Sequence, residues 1–196
     1  MSLSDLSDSQ QLQFLFQAMS KRMEDRAPDF AFSQARVSSE SFVRNECALA
    51  AFASLDSHSY HVHMEKEPGK MLKKKVDLLI VPIEDGKEEW NRAYEFELKM
   101  AWPGAPKGNA PLVKRDLARL RERRTNSWAL VLYFAIESSA YWMPYKRCKV
   151  DFQQGLEAFI CHLKEEEGEP IFKGNPFHFS HEEGVSGDAA LLAWKA

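Results

Sequence analysis

The chain has 196 residues, of which 44% are hydrophobic and 28% charged, with a formal net charge of −3 at pH 7. This composition suits one globular domain with a sizeable core, and no apolar run approaches the roughly 20 residues that span a bilayer, so no membrane association is expected. A polar, acidic start and three widely spaced cysteines favour a cytoplasmic protein with reduced thiols. Nucleic acid binding would need a local basic patch, because the net charge is negative.

The first part of the chain has two helical patterns followed by three strand patterns. Apolar residues at helical spacing predict a helix over about residues 8–25 and a second from Ser38 or Ser39 to about residue 55. Runs of strand length, two of them separated by the turn signal Glu84-Asp85-Gly86-Lys87, then predict three strands. These strands are expected at about residues 60–64, 73–81 and 92–102.

The second part of the chain predicts a helix over about residues 111–124, a buried strand at 127–136 and a last helix at 152–164. Beyond Gly168 an irregular, acidic tail is expected. No repeat or linker divides the sequence, so one domain over residues 1–196 is predicted, with its core at about 38–136 and a helix added at each end. A strand–helix–strand step after a meander predicts an α/β fold, with a mixed central sheet flanked by helices.

Strand alternation groups several polar side chains. In the predicted strand at 92–102, Glu95, Glu97 and Lys99 fall on the face opposite its aromatic and apolar residues. In the strand at 73–81, Asp77 falls opposite the apolar set. Two adjacent strands of this kind hold two carboxylates and an ammonium on one side of a sheet. Those are the groups that a divalent-metal hydrolytic site uses.

This order of elements, with Asp77 and the tripeptide Glu97-Leu98-Lys99 ending a strand, resembles the PD-(D/E)xK nuclease superfamily, which has the restriction-endonuclease-like fold. The resemblance covers roughly residues 38–136 and implies an α-β-β-β-α-β core. Val76 stands where the family usually has a proline. The resemblance implies a Mg²⁺-dependent (or Mn²⁺-dependent) endonuclease or exonuclease that hydrolyses DNA.

The same resemblance implies roles for individual residues. Asp77 and Glu97 are expected to be Mg²⁺ ligands together with the backbone carbonyl of Leu98, and Lys99 is expected to orient or deprotonate the attacking water. Independently, Mg²⁺ prefers hard oxygen donors and commonly takes one or two carboxylates with waters. The alternative is that alternating Glu and Lys form only a solvated strand face.

A buried glutamate on the preceding helix is a further candidate ligand. Glu46 lies on the apolar stripe of that helix, where a carboxylate is costly unless it is paired or metal-bound. The resemblance implies that a glutamate on this helix completes the acidic cluster, with Glu40 as the weaker choice. The alternative is that Glu46 pairs with a structural arginine such as Arg44 or Arg92.

A basic loop and helix follow the Glu97 strand and are expected to contact phosphates, with steep salt dependence. The alternative is a solvated helix face that Asp116 and Glu122 partly balance. The cations predicted to bind nucleic acid are Lys107, Lys114, Arg115, Arg119 and Arg123.

Other interpretations of the sequence remain open. A nuclease-fold protein could bind nucleic acid or a protein partner without cutting, and an unrelated α/β interaction protein could carry the same charged strand face. The family also includes homodimers, although no heptad or apolar patch identifies one here. His61 and His63 share a strand face but lack a convincing third metal ligand in the sequence.

Overall fold

The computed structural model describes residues 3–36, 39–66, 76–103, 109–122, 126–139, 151–182 and 185–196. These ranges contain five α-helices, eight strands and a single 3₁₀ turn at Trp90–Arg92. The helices are α1 (Ser9–Asp25), α2 (Ala27–Arg36), α3 (Ser39–Ser54), α4 (Asn109–Arg121) and α5 (Phe152–Glu167). The strands are β1 (Tyr60–Lys66), β2 (Val76–Glu84), β3 (Lys87–Glu88), β4 (Tyr94–Ala101), β5 (Asn126–Ser139), β6 (Phe172–Lys173), β7 (Phe177–His181) and β8 (Val185–Lys195).

The strands form one open mixed sheet in the order β1-β2-β4-β5-β8-β6, with β3 paired to β2 and β7 paired to β8. Neighbours are antiparallel except β4 and β5, which run parallel from Tyr94↔Asn126 to Ala101↔Tyr133. Parallel neighbours need a crossover connection, and α4 lies in the segment that joins them. The predicted α/β class with a mixed sheet is therefore confirmed.

Helices cover both faces of the sheet. On one face, α1, α2 and α3 pack on a core that includes Phe16 and Phe30 together with Phe96 of β4. On the other, α4 and α5 pack on a second core that includes Leu117 and Trp194. Burial of apolar side chains on two faces is what the continuous apolar pattern of β5 predicts for a central strand.

The prediction of an irregular tail beyond Gly168 is wrong. Three strands follow α5, and β8 lies beside β5 in the middle of the sheet, paired from Trp128↔Lys195 to Ser139↔Val185. The stretch Ala189–Trp194 is fully buried, although alanine and leucine favour helix by intrinsic propensity. Packing between the two helical layers therefore decides its conformation. A Cβ on Gly187 would lie 2.0 Å from the Ala135 carbonyl oxygen, so only glycine fits at that position.

The other predicted elements are found close to their expected bounds. Asp8 caps α1 by accepting a hydrogen bond from the backbone N–H of Gln10. A separate helix that the sequence pattern did not predict, α2, begins at Ala27-Pro28, where proline is tolerated in the first turn. None of the helices in the described part of the chain combines the length and the apolar run that a bilayer crossing requires.

Candidate active site

Asp77, Glu97 and Lys99 come together where β2 and β4 stop pairing. The antiparallel pairs of these strands run from Ile80↔Tyr94 to Leu78↔Phe96. Asp77 is the residue of β2 just before Leu78, and its Oδ2 accepts a hydrogen bond from the Leu98 backbone N–H at 2.8 Å. The Asp77 side chain, and not the β2 backbone, therefore accepts this β4 N–H. The hydrogen bond holds the two strands together where their pairing ends.

Glu97 is a buried carboxylate with a like-charged neighbour. It is 4% exposed, has the Asp77 carboxylate as a neighbour, and accepts a hydrogen bond from the Arg119 guanidinium. Burial, and then the charge of Asp77, raise the pKa of Glu97 to about 7, although Arg119 opposes the shift. Glu97 therefore holds a proton more readily than an ordinary glutamate does.

Lys99 is held by carboxylates from both helical layers. Its Nζ lies 3.4 Å from Glu40 Oε1 of α3 and 3.4 Å from Asp116 Oδ2 of α4. Burial by itself lowers the pKa of Lys99, but Glu40, Asp116, Asp77 and Glu97 together outweigh it and raise that pKa. Lys99 is therefore an ammonium group, which suits it to orienting water and stabilising negative charge and not to removing a proton.

Asp116 is a member of this cluster that the sequence pattern indicated only as a balancing charge. It is 2% exposed and lies between Val113 and Leu120 on the buried stripe of α4. Its Oδ2 accepts no hydrogen bond within the described residues. A carboxylate at helical spacing within an apolar stripe was the available signal, since such groups need a cation.

Two arginines complete the cluster. Arg44 Nη1 of α3 lies 3.4 Å from Asp77 Oδ1. Arg119 of α4 contacts Glu97 and lies 3.4 Å from Asp116 Oδ1. Both strand carboxylates expected to bind metal therefore have a guanidinium beside them.

Glu46 pairs with an arginine of another helix and does not join the acidic cluster. Its Oε2 accepts a hydrogen bond from Arg22 Nε of α1 at 2.7 Å, and its side chain is buried. Glu46 lies about 240° around the helix axis from Glu40 at 100° per residue, so the two side chains leave α3 on different faces. The open alternative of a structural arginine pair is the one observed, with Arg22 in place of the two arginines considered. Glu40 is the α3 glutamate that reaches Lys99.

Much of the basic surface predicted on α4 is engaged inside the molecule. Lys114 pairs with Glu166 of α5 at 2.6 Å, and Arg119 pairs with Glu97. Arg115 is exposed to solvent. Lys107 and Arg123 lie outside the described residues. Among the predicted phosphate-contacting cations that the structure describes, Arg115 is therefore the one exposed without an internal ion pair.

The donor set fits a hard divalent cation. Two carboxylates from neighbouring strands, with waters, are a common Mg²⁺ environment. The Leu98 carbonyl faces the same side of β4 as the N–H bound to Asp77, because one strand residue directs both groups to one side. Asp116 Oδ2 accepts no hydrogen bond from the described residues, although it lies 3.4 Å from the Lys99 ammonium. Asp77, Glu97 and the Leu98 carbonyl are donor types that Mg²⁺ accepts, and a cation bound to them would displace Arg44 and Arg119.

No family model, no curated protein and no solved structure matches the chain. Membership of the PD-(D/E)xK superfamily therefore stays a prediction. The functional proposal rests on the fold and on the geometry of this cluster.

The raised pKa of Glu97 predicts how stability depends on pH when a chelator removes divalent metal. A folded-state pKa near 7 against an ordinary value of 4.5 means that the protonated form contributes stability below pH 4.5. This contribution is lost as the pH rises through about 7. We expect Glu97→Gln to remove the loss, so the free energy of unfolding falls less between pH 5 and about 8 than in the wild type. Urea unfolding at the two pH values measures it, and parallel wild-type and variant curves would contradict it.

Proposed function

We propose that this chain is a Mg²⁺-dependent phosphodiesterase that hydrolyses DNA on a PD-(D/E)xK nuclease core. The observation that carries the proposal is the convergence of Asp77, Glu97 and Lys99 where β2 and β4 separate. The element order α3-β1-β2-β4-α4-β5 supports it. Three antiparallel strands followed by a helical crossover to a parallel strand correspond to the α-β-β-β-α-β order of that fold.

The residues of the cluster divide the chemistry between them. Asp77, Glu97 and the Leu98 carbonyl would hold the cation. A bound Mg²⁺ would lower the pKa of a water bound to it and neutralise charge on the scissile phosphate. Lys99, kept as an ammonium, stabilises the negative charge that builds on the phosphate in the transition state. Glu40 and Asp116 fix the position of that ammonium from opposite sides.

Binding to the DNA backbone is assigned to the exposed side of α4. We expect Arg115→Ala to weaken duplex binding and to reduce the slope of log affinity against log salt by about 0.9, the value for one phosphate contact. Lys114→Ala is the matched control on the neighbouring residue, because Glu166 already neutralises that ammonium. Fluorescence anisotropy across a salt series measures both. Equal effects of the two variants would contradict the assignment.

A second candidate is a nuclease-fold protein that binds nucleic acid or a protein partner without cutting. The pairs Arg44–Asp77 and Arg119–Glu97 favour it, because guanidinium groups already neutralise the two carboxylates. In that case the cluster is an ion-pair network that joins α3 and α4 to the sheet. It would bind no divalent cation.

A nuclease assay separates the two candidates. Linear duplex, single-stranded and branched DNA, with RNA as comparison, are incubated with the protein in Mg²⁺, in Mn²⁺ and in EDTA. The proposal predicts DNA cleavage with either metal and none in EDTA. Binding without cleavage of any substrate would support the non-catalytic candidate instead.

A further inference from the structure

A second group of metal-ligating side chains lies on β1 and β3. The ligand atoms of His61, His63 and Glu88 all fall within 4.8 Å of one another. His61 Nδ1 and Glu88 Oε1 are 2.7 Å apart, and His63 Nε2 is 2.8 Å from the same oxygen. This group shares no residue with the acidic cluster, so a function of these three side chains is independent of the proposed phosphodiesterase.

Strand geometry brings the two histidines to one face. They are two residues apart on β1, so their side chains point the same way. Their antiparallel partners on β2 are Val81 and Leu79, which belong to a small apolar cluster on that face. Both imidazoles therefore stand on the same side of the sheet.

The third ligand arrives through a tight turn. Asp85 and Gly86 have φ of 51° and 73°, the left-handed conformation that a two-residue hairpin of this type needs. The turn folds β3 back on β2 with Glu88 opposite Ile83. Ile83 lies two residues beyond Val81, so Glu88 joins the histidine face. Glu88 is therefore a candidate third ligand that the sequence pattern did not indicate.

The three ligands are already oriented. The ring of His63 stacks on Trp90, with centroids 5.2 Å apart and an interplanar angle of 24°. Glu88 Oε1 lies 2.7 Å from His61 Nδ1 and 2.8 Å from His63 Nε2, so one carboxylate oxygen stands between the two rings. The His61 side chain is 53% exposed, which leaves the group open to solvent on one side.

The donor types select the metal. Imidazole nitrogens with one carboxylate oxygen suit Zn²⁺, whereas Mg²⁺ requires a set of oxygen donors. Bonds of about 2.0–2.1 Å in a tetrahedron place ligand atoms about 3.3 Å apart. The two histidine nitrogens lie within 4.8 Å of each other, so Zn²⁺ binding needs Glu88 to withdraw from 2.7 and 2.8 Å and the three ligand atoms to settle at that common spacing.

We propose that His61 Nδ1, His63 Nε2 and Glu88 form a Zn²⁺ site whose fourth position is open to water. The site ties β1 to the β2–β3 hairpin, whose ligand lies 25 and 27 residues from the histidines in the sequence. Because such a site is assembled by the fold, binding of Zn²⁺ stabilises the folded state.

Calorimetric titration of the metal-free full chain with ZnCl₂ tests the site. We expect one Zn²⁺ per chain, with the affinity reduced by about 100-fold or more in His61→Ala, His63→Ala and Glu88→Gln, since even loss of an outer-shell partner typically costs 10–100-fold. His178→Ala is the matched control. His178 Nδ1 lies 3.1 Å from Asp188 Oδ1, a similar exposed histidine–carboxylate pair that belongs to no three-ligand group among the described residues. Asp77→Asn should also bind Zn²⁺ normally.

A second measurement keeps the test independent of folding defects. Circular dichroism checks each variant without metal, and His61→Gln replaces the exposed histidine with a polar side chain that is a poor Zn²⁺ ligand. Histidine ¹⁵N NMR on the wild type should show Zn²⁺ bound through Nδ1 of His61 and Nε2 of His63. Absence of saturable binding, binding that survives in all ligand variants, or equal loss in His178→Ala would each overturn the proposal.

Discussion

Asp77→Asn and Lys99→Met are each expected to reduce Mg²⁺-dependent DNA cleavage by about 1,000-fold, since a metal or a preorganised charge contributes several kcal/mol to the transition state. Asn at position 77 can still accept the Leu98 N–H but supplies no negative charge to the cation. Met at position 99 keeps the apolar stem of the lysine and removes its ammonium. Initial rates of cleavage of a labelled duplex measure the losses.

The control for these variants lies on β2. Glu84→Gln changes an exposed glutamate at the other end of that strand, where it pairs with Arg92. It should cleave at the wild-type rate. Circular dichroism and thermal melting should show that all three variants fold. Wild-type activity in both Asp77→Asn and Lys99→Met would contradict the phosphodiesterase assignment.

Arg119→Met is expected to lower the free energy of unfolding by about 2–3 kcal/mol at pH 8. Removing one partner of a buried ion pair typically costs 3–5 kcal/mol because the other charge is left unpaired. The lower value applies here because the Arg119 side chain is 29% exposed, whereas that of Glu97 is 6% exposed. Urea unfolding monitored by circular dichroism measures the loss.

Two comparisons make this stability prediction specific. Lys114→Met removes an exposed pair with Glu166 on the same helix and should cost under about 1 kcal/mol. The cost of Arg119→Met should be smaller at pH 5, where Glu97 is protonated, and should be partly recovered when Glu97→Gln is added. A loss of equal size at both pH values would mean that Glu97 is not the group left unpaired.

The polar face of β4 could be predicted because strand alternation is a local property. Tyr94, Phe96 and Leu98 pack in one core, while Glu97 and Lys99 face α4, as a period of two requires. The limits of α1 were also close, because helical spacing of apolar residues and the Asp8 cap are local signals. Such features need no knowledge of the tertiary structure.

The features missed by the sequence depend on what packs against them. β8 carries a run of alanine and leucine whose strand conformation comes from its pairing with β5. Glu46 was correctly placed on a buried stripe, but that stripe faces Arg22 of α1. Asp116 and Glu88 were missed because their partners arrive from other elements, Lys99 from β4 and the histidines from β1. These contacts join residues that are far apart in the sequence, so local sequence patterns cannot predict them.

The phosphodiesterase proposal depends on Asp77 and Glu97 forming a binding site for Mg²⁺. Calorimetric titration of the chain with MgCl₂, after removal of metal by EDTA and dialysis, is the decisive experiment. We expect saturable binding of Mg²⁺ that is lost in Asp77→Asn and kept in Glu88→Gln. Absence of Mg²⁺ binding in the wild type, or binding of equal strength in Asp77→Asn, would contradict the proposed site.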